Sequence, residues 1–203
     1  MKLYYSKGAC SLSTHMAINE MNLPCQFETV DLQTKKTSTG GNFLTINPKG
    51  MVPTLVLDNE EVLTENTVIQ QYLAETHKAT ELLPAVGDMK RYHVLEWLSF
   101  VSADVHKSFA PLFNPNVPKE LKEEILIPNL KKKMDFVDQH LSKNEFVAGQ
   151  SFTLPDCYMF VMLMWLAHFK IDVAQWKNLQ RYYNAVKDRP ATQKALKEEG
   201  IAL

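Results

Sequence analysis

Glycine is scarce in this chain, 7 in 203 residues, and Gly40, Gly41 and Gly50 form neither the G-x-G-x-x-G fingerprint nor a P-loop. Nucleotide binding is therefore not expected. Cysteine is scarcer still: Cys10, Cys25 and Cys157 are too widely spaced, and odd in number, for a disulfide framework or a zinc cluster. A reducing cytoplasm is the natural setting. Neither sign of charge dominates, because 22 Lys+Arg nearly cancel 23 Asp+Glu, so no field gathers phosphates or anionic lipid and nucleic acid is not an expected partner. The most apolar stretch, Tyr158 to Phe169, falls far short of the roughly 20 residues of a spanning helix. It reads as a core helix, and no membrane association is expected. Met1 to Gly8 lacks the apolar run of a secretion signal and reads as a mature terminus. None of the histidines, including His15, His93 and His168, has an H-E-x-x-H or C-x-x-C partner, so no metal is expected.

What is there is an ordinary globular composition, 45% hydrophobic and 22% charged, at a length that suits two domains. Lys2 to Tyr5 reads as a strand, and Gly8-Ala9-Cys10-Ser11 turns it into a helix running to about Met21, with Leu12, Met16, Ala17 and Met21 on one face. Cys25 to Leu32 reads as a second strand, and Gln33 to Asn42 as a polar, mobile loop. Val52 to Leu57 and Glu61 to Thr64 form a hairpin, followed by a helix that Asn66 caps. Residues 1–77 thus read β-α-β, connection, β-β-α, and residues 78–87 are a linker. Residues 88–203 carry only helical periods. Leu98, Val101, Val105, Phe109 and Leu112 line one long helix, and Leu130, Met134, Val137 and Leu141 another; Leu179, Tyr182, Tyr183 and Val186 line a third, ended by Arg189-Pro190. Thr153 to Asp156 matches a capping box, and Met159, Met162 and Met164 read as core filler.

A cysteine at a helix start meets unpaired N–H groups and the positive end of the dipole, which favour thiolate. Taken at random such a cysteine is more often a packing residue; its place after the first strand turns the reading of Cys10 toward reactivity. Cys10-Ser11-Leu12-Ser13 has the frame of C-x-x-C with Ser13 in place of the resolving thiol, so turnover needs an external thiol, and glutathione is the obvious cytosolic one. Val52-Pro53 has two readings. One is a trans proline at an edge strand; the other is a cis bond that turns the Val52 backbone outward to pair with an extended ligand. Glu65-Asn66 is either a simple cap or a site where helix N–H groups meet a carboxylate and Glu65 an amino group. Ser99, Ala103 and His106 form a polar stripe at i, i+4, i+7, and His106-Lys107 is either solvated or turned to a cleft.

Lys2-Leu3-Tyr4-Tyr5, Ala9 to Ser13, Asp31-Leu32, Thr34 to Thr37, Ile46-Asn47-Pro48-Lys49-Gly50, Val52-Pro53 and Leu63-Thr64-Glu65 resemble the bacterial beta-class glutathione transferases. Gln71 to Ala74, Arg91-Tyr92-His93, Glu96-Trp97-Leu98, Val105-His106-Lys107, Pro111-Leu112-Phe113 and Phe152-Thr153 with Asp156 extend the likeness over essentially the whole chain. The resemblance implies an α/β thioredoxin-like domain that holds glutathione as co-substrate, an all-α domain with an apolar pocket, and a homodimer. It places Cys10 at the glutathione sulfur with Ser11 and His106 nearby as catalytic groups. Lys35 falls to the glycyl carboxylate, Val52 across cis Pro53 to the cysteinyl backbone, and Glu65 with Asn66 to the γ-glutamyl end. Ser99 and Ala103 stand where the family reaches the partner subunit's glutathione with an Asn and a Ser, and Lys107 accompanies His106. Tyr5, Phe109, Phe113 and Trp165 are expected on the walls of the electrophile pocket.

The expected reaction is conjugation of the glutathione thiolate to a small apolar electrophile. Two rivals stand beside it: a glutathione-dependent monothiol disulfide reductase or reductive dehalogenase, and a non-catalytic carrier of hydrophobic ligands.

Overall fold

Alternation along the first strand decides how the N-terminal unit packs. In the computed structural model, which describes residues 1–202, β1 (Lys2–Tyr5) sends Leu3 to one side of a sheet and Tyr4 to the other. Leu3 meets Ile18, Leu55, Ile69 and Leu73, all with no exposed surface, while Tyr4 meets Val30, Phe43 and Val52. Each such burial is worth about 1.5–3 kcal/mol, so the two small clusters anchor the sheet on both faces.

The sheet order is β3-β2-β1-β4-β5. Strand β2 (Gln26–Asp31) runs parallel to β1 with Leu3 opposite Phe27, which the crossover through helix α1 (Ser11–Glu20) requires. Strands β4 (Thr54–Val56) and β5 (Val62–Thr64) form the expected antiparallel pair, with Leu55 opposite both Leu3 and Leu63. Helix α2 (Asn66–Thr76) completes the motif. The polar segment expected as a loop contains a further strand, β3 (Lys36–Thr37), paired antiparallel with Val30 and Asp31. Thr37, Thr39 and Glu28 hold it through side-chain hydrogen bonds that its composition conceals.

The chain forms two compact units, Met1–Leu83 with the segment from Lys187 onward, and Pro84–Val186. The C-terminal segment, expected with the helical domain, therefore belongs to the first unit. Pro190 does not merely end a helix; it opens α9 (Pro190–Glu198), which packs on α1. Arg189 forms a fork with Glu20 at 2.7 and 2.8 Å, and His15 lies between Glu198 and Glu199. Contact with α9 explains why α1 is buried from Ser11 through Asn19 rather than on one face.

The second unit is helical. Helix α3 (Met89–Phe100) passes through a π-helical turn, Val101–His106, into α4 (Lys107–Phe113), so the expected long helix is interrupted although Leu98, Val101, Val105, Phe109 and Leu112 are all buried. A short α5 (Lys119–Leu121) and a second π turn lead into α6 (Ile127–Leu141), which buries Leu130, Met134, Val137 and Leu141 as its spacing predicts. Helix α7 (Leu154–His168) is buried on nearly every face and is the centre of the unit; α8 (Lys177–Lys187) buries Leu179, Tyr182 and Val186. Met159 and Met162 are fully buried in α7 and Met164 half-buried.

The capping box is present, and it does more than cap. The Asp156 carboxylate accepts from the Thr153 N–H and hydroxyl, the Val147 N–H and the Tyr182 hydroxyl at 2.8–3.1 Å, joining α7, α8 and the loop before α7. Burial pushes the carboxyl up to about 6 against the pull of these donors. Asp156→Ala leaves several buried donors unsatisfied and is expected to cost about 3 kcal/mol in urea unfolding; a loss under about 1 kcal/mol would show that the donors find other acceptors.

Candidate functional site

Cys10 occupies the N-cap position of α1, half-buried, and its Sγ lies 3.4 Å from the Val52 carbonyl oxygen, to which the thiol donates. The Val52–Pro53 peptide is cis, so of the two readings of this dipeptide the cis one holds. Ser13, at the position of a resolving thiol, is fully buried and lies 2.8 Å from the Cys10 carbonyl oxygen. Ser11 is also fully buried, its hydroxyl bonded to the Ser6 backbone, where it braces the turn before Cys10. Of the other thiols, Cys25 is held protonated by burial, which pushes it up to about 11, and Cys157 is enclosed in α7. Cys10 alone combines a helix start with partial exposure.

Asn66 does not cap α2. Its side chain turns toward α1: Nδ2 donates to the Cys10 carbonyl at 2.8 Å, and Oδ1 faces the hydroxyls of Ser13 and Thr14 at 2.9 and 2.5 Å. Helix packing overrides the capping preference because a buried amide satisfies three groups here and only one at the cap. Glu65 takes the cap position with φ +74° and ψ 121°, a conformation disfavoured for a residue with a Cβ. Its carboxylate is exposed and paired with Lys49 Nζ at 2.9 Å, and Lys49 also donates to Thr64. Lys35, with φ +57°, donates to the Gly50 carbonyl at 2.9 Å. Gly50 has φ +63°, and a Cβ there would lie 3.1 Å from Leu44 and 3.3 Å from Lys35, so the turn that seats Lys35 requires glycine. Cys10, Val52 and Asn66 are thus joined by hydrogen bonds, with Glu65 next in chain to Asn66.

His106 closes the π turn of the second unit. Its Nδ1 is 2.5 Å from the Tyr158 hydroxyl, and its ring stands edge-to-face with Trp165 at 5.1 Å. Burial, with Lys107 adding to it, lowers the imidazole to about 4, so His106 is neutral at neutral pH. Phe109, Phe113 and Trp165 form an aromatic cluster with Phe169, centroids 4.8–5.9 Å apart. Tyr5, expected on the same wall, is buried in the first unit against His15 and Phe27. Ser99, Ala103 and Lys107 are exposed, and the π turn bends the stripe expected to run straight through Ser99, Ala103 and His106. Ala103 and Lys107 line a groove of about 650 Å³ with Phe100, Asp104 and Phe136.

Sequence reasoning missed four contributors. Glu199 accepts from the Gly8 N–H at 2.9 Å and holds the turn before Cys10; Glu198, Lys49 and Tyr158 act on His15, Glu65 and His106. Only Lys49 had a nearby signal, the Asn47-Pro48-Lys49-Gly50 turn. Among the described residues no group of three or more His, Cys, Asp or Glu could hold a metal ion, and no helix is long and apolar enough to cross a membrane.

A βαβ unit continued by a β-hairpin and helix, with a thiol at the first helix start and a cis proline beside it, defines a thioredoxin-like domain. Residues 8–76 match the glutathione S-transferase N-terminal domain and residues 100–190 the glutathione S-transferase C-terminal domain. Glutathione S-transferase GstA of Escherichia coli O157:H7 is 36% identical over 201 residues, spanning 99% of this chain and all of that protein. Among solved structures, a sphingomonad glutathione S-transferase complexed with glutathione is 42% identical with a TM-score of 0.94. The bacterial beta-class enzyme of Sphingomonas chungbukensis is 41% identical with a TM-score of 0.95, and both alignments cover all of both chains. This chain belongs to the glutathione S-transferase family.

The strained cap carries a measurable cost. Glu65→Gly is expected to raise the unfolding free energy by about 1 kcal/mol by releasing the positive φ; an unchanged or lower stability would mean the Lys49 pair compensates the strain.

Proposed function

We propose that the chain conjugates glutathione to small apolar electrophiles, holding the glutathione sulfur at Cys10. The observation that carries this reading is the hydrogen-bonded group of Cys10, Val52 beside cis Pro53, and Asn66. An extended tripeptide lies along such an edge: the Val52 backbone pairs with the cysteinyl residue and Lys35 meets the glycyl carboxylate. The γ-glutamyl carboxylate takes the first-turn N–H groups of α2, and Glu65 accepts from its amino group.

At the start of α1 the dipole and N–H groups favour the thiolate of the bound glutathione, whose sulfur is the one that reacts. The thiol proton leaves to solvent, a sulfur lone pair forms the C–S bond, and the leaving group departs with its electron pair. His106, with Lys107 beside it, is the proposed hydrogen-bonding group for the sulfur, and the Phe109, Phe113 and Trp165 cluster offers apolar surface for the electrophile. The proposed assembly is a homodimer, in which Ser99 supplies the cross-subunit hydrogen bond and Ala103 none. The proposed setting is the cytoplasm, where glutathione is kept reduced.

A specific feature favours a second activity. With Ser13 buried in place of a second thiol, Cys10 that attacks oxidised glutathione, releasing one glutathione thiolate, keeps the other half as a mixed disulfide until an external thiol removes it.

The test combines turnover and mass. Wild type is expected to conjugate glutathione to a chlorinated nitrobenzene with release of chloride, and Glu65→Gly to raise the glutathione KM more than about tenfold, the loss of a charged hydrogen bond. Intact mass after exposure to oxidised glutathione should rise by one glutathione per chain, and should not rise in Cys10→Ala. Absence of both conjugation and mass gain, with hydrophobic dyes still bound, would replace the transferase with a carrier.

A further inference from the structure

The contact between His106 and Tyr158 has two arrangements with opposite chemistry. If Nδ1 carries the proton, it donates to the phenol oxygen and leaves Nε2 as a base; if the phenol donates to Nδ1, Nε2 carries the proton and the ring can only donate. The acceptors differ in strength. A pyridine-type imidazole nitrogen attracts a proton far more strongly than a phenol oxygen, so O–H···N is the better bond. Tyr158 sits on the fully packed helix α7, almost without exposed surface, and Trp165 presents its ring edge-to-face to the imidazole. The π turn, which is rare in helices and concentrates at functional positions, ends on His106 itself.

We infer that Tyr158 is a positioning residue that fixes His106 as the neutral Nε2–H tautomer, so that His106 offers a hydrogen-bond donor and not a general base. With Nδ1 engaged, the ring meets any ligand through Nε2. This rests on the proposed role of His106 at the glutathione sulfur: there it steadies a thiolate or a departing anion, and the thiol proton must leave by another route. The low basicity of the buried ring agrees, since a group that resists protonation makes a poor base.

Long-range nitrogen–proton correlation spectra of the nitrogen-labelled protein read the tautomer directly, with the His106 signals assigned by their loss in His106→Gln. The expected result is an unprotonated Nδ1 and a protonated Nε2 in wild type, with a mixture of tautomers in Tyr158→Phe. A protonated Nδ1 in wild type overturns the inference without any variant having to fold, and so does an unchanged spectrum in Tyr158→Phe.

Turnover supplies a second arm. Glutamine carries an amide donor near the Nε2 position and no base, so His106→Gln should stay within about threefold of wild type while His106→Ala loses roughly tenfold, the worth of one hydrogen bond. Equal loss in both overturns the donor assignment. Full activity in His106→Ala, with the expected spectrum, removes His106 from the proposed reaction and leaves the tautomer assignment standing.

Discussion

The carbonyl of Cys10 is the point on which the N-terminal unit turns. Asn66 Nδ2 and the Ser13 hydroxyl both lie 2.8 Å from it, so the start of α1 is tied to the start of α2 through one buried oxygen. Two helix N-termini are thereby held side by side, one beneath a thiol and one beneath an exposed carboxylate. Gln70 extends the network by donating to Ser13 at 3.0 Å, and all of these side chains are buried. In such surroundings a lost partner costs more than a surface hydrogen bond is worth, which keeps the arrangement unique rather than merely stable.

A second tie comes from the other end of the chain. Glu199, buried just past the end of α9, accepts from the Gly8 N–H and lies 3.1 Å from His15 Nδ1, so that the C-terminal end of α9 braces the turn before Cys10 while α2 braces the turn after it. His15 is stacked on Phe27 of β2 at 3.9 Å, which carries the brace into the sheet. The thiol position is therefore set by backbone contacts from three separate parts of the sequence. The strain at Glu65 fits the same logic, because a residue held against its backbone preference needs surroundings that over-determine it.

How much of this was legible in the sequence depends on the range of the interaction. Local periodicity marked β1, α1, the hairpin, α6 and the capping box, because the burial of Leu3, Leu130 or Met134 is written in nearest-neighbour spacing. Cys10, Pro53 and Glu65 were recoverable from their places at element boundaries and from the ordered family motifs. What depends on distant partners was not. The reach of Asn66 to Cys10, the two glutamates around His15 and the transfer of the last helix to the first unit leave no trace in spacing. Short β3 was hidden by polar composition, since its stability comes from threonine and glutamate side chains and not from apolar alternation. The π turn before His106 was invisible for a different reason: the buried residues Leu98, Val101, Val105, Phe109 and Leu112 fall at the 3–4-residue intervals of an α-helix, and a change in backbone pairing leaves no mark in side-chain type.

The central claim is that the α1 start, the Val52–Pro53 edge and the α2 start together form one glutathione site. A crystal structure with glutathione tests it most directly. The account predicts the sulfur beside Cys10 Sγ, the cysteinyl backbone along Val52 and the γ-glutamyl carboxylate at the first turn of α2. Glutathione bound elsewhere, or bound here with its sulfur turned away from Cys10, would contradict it.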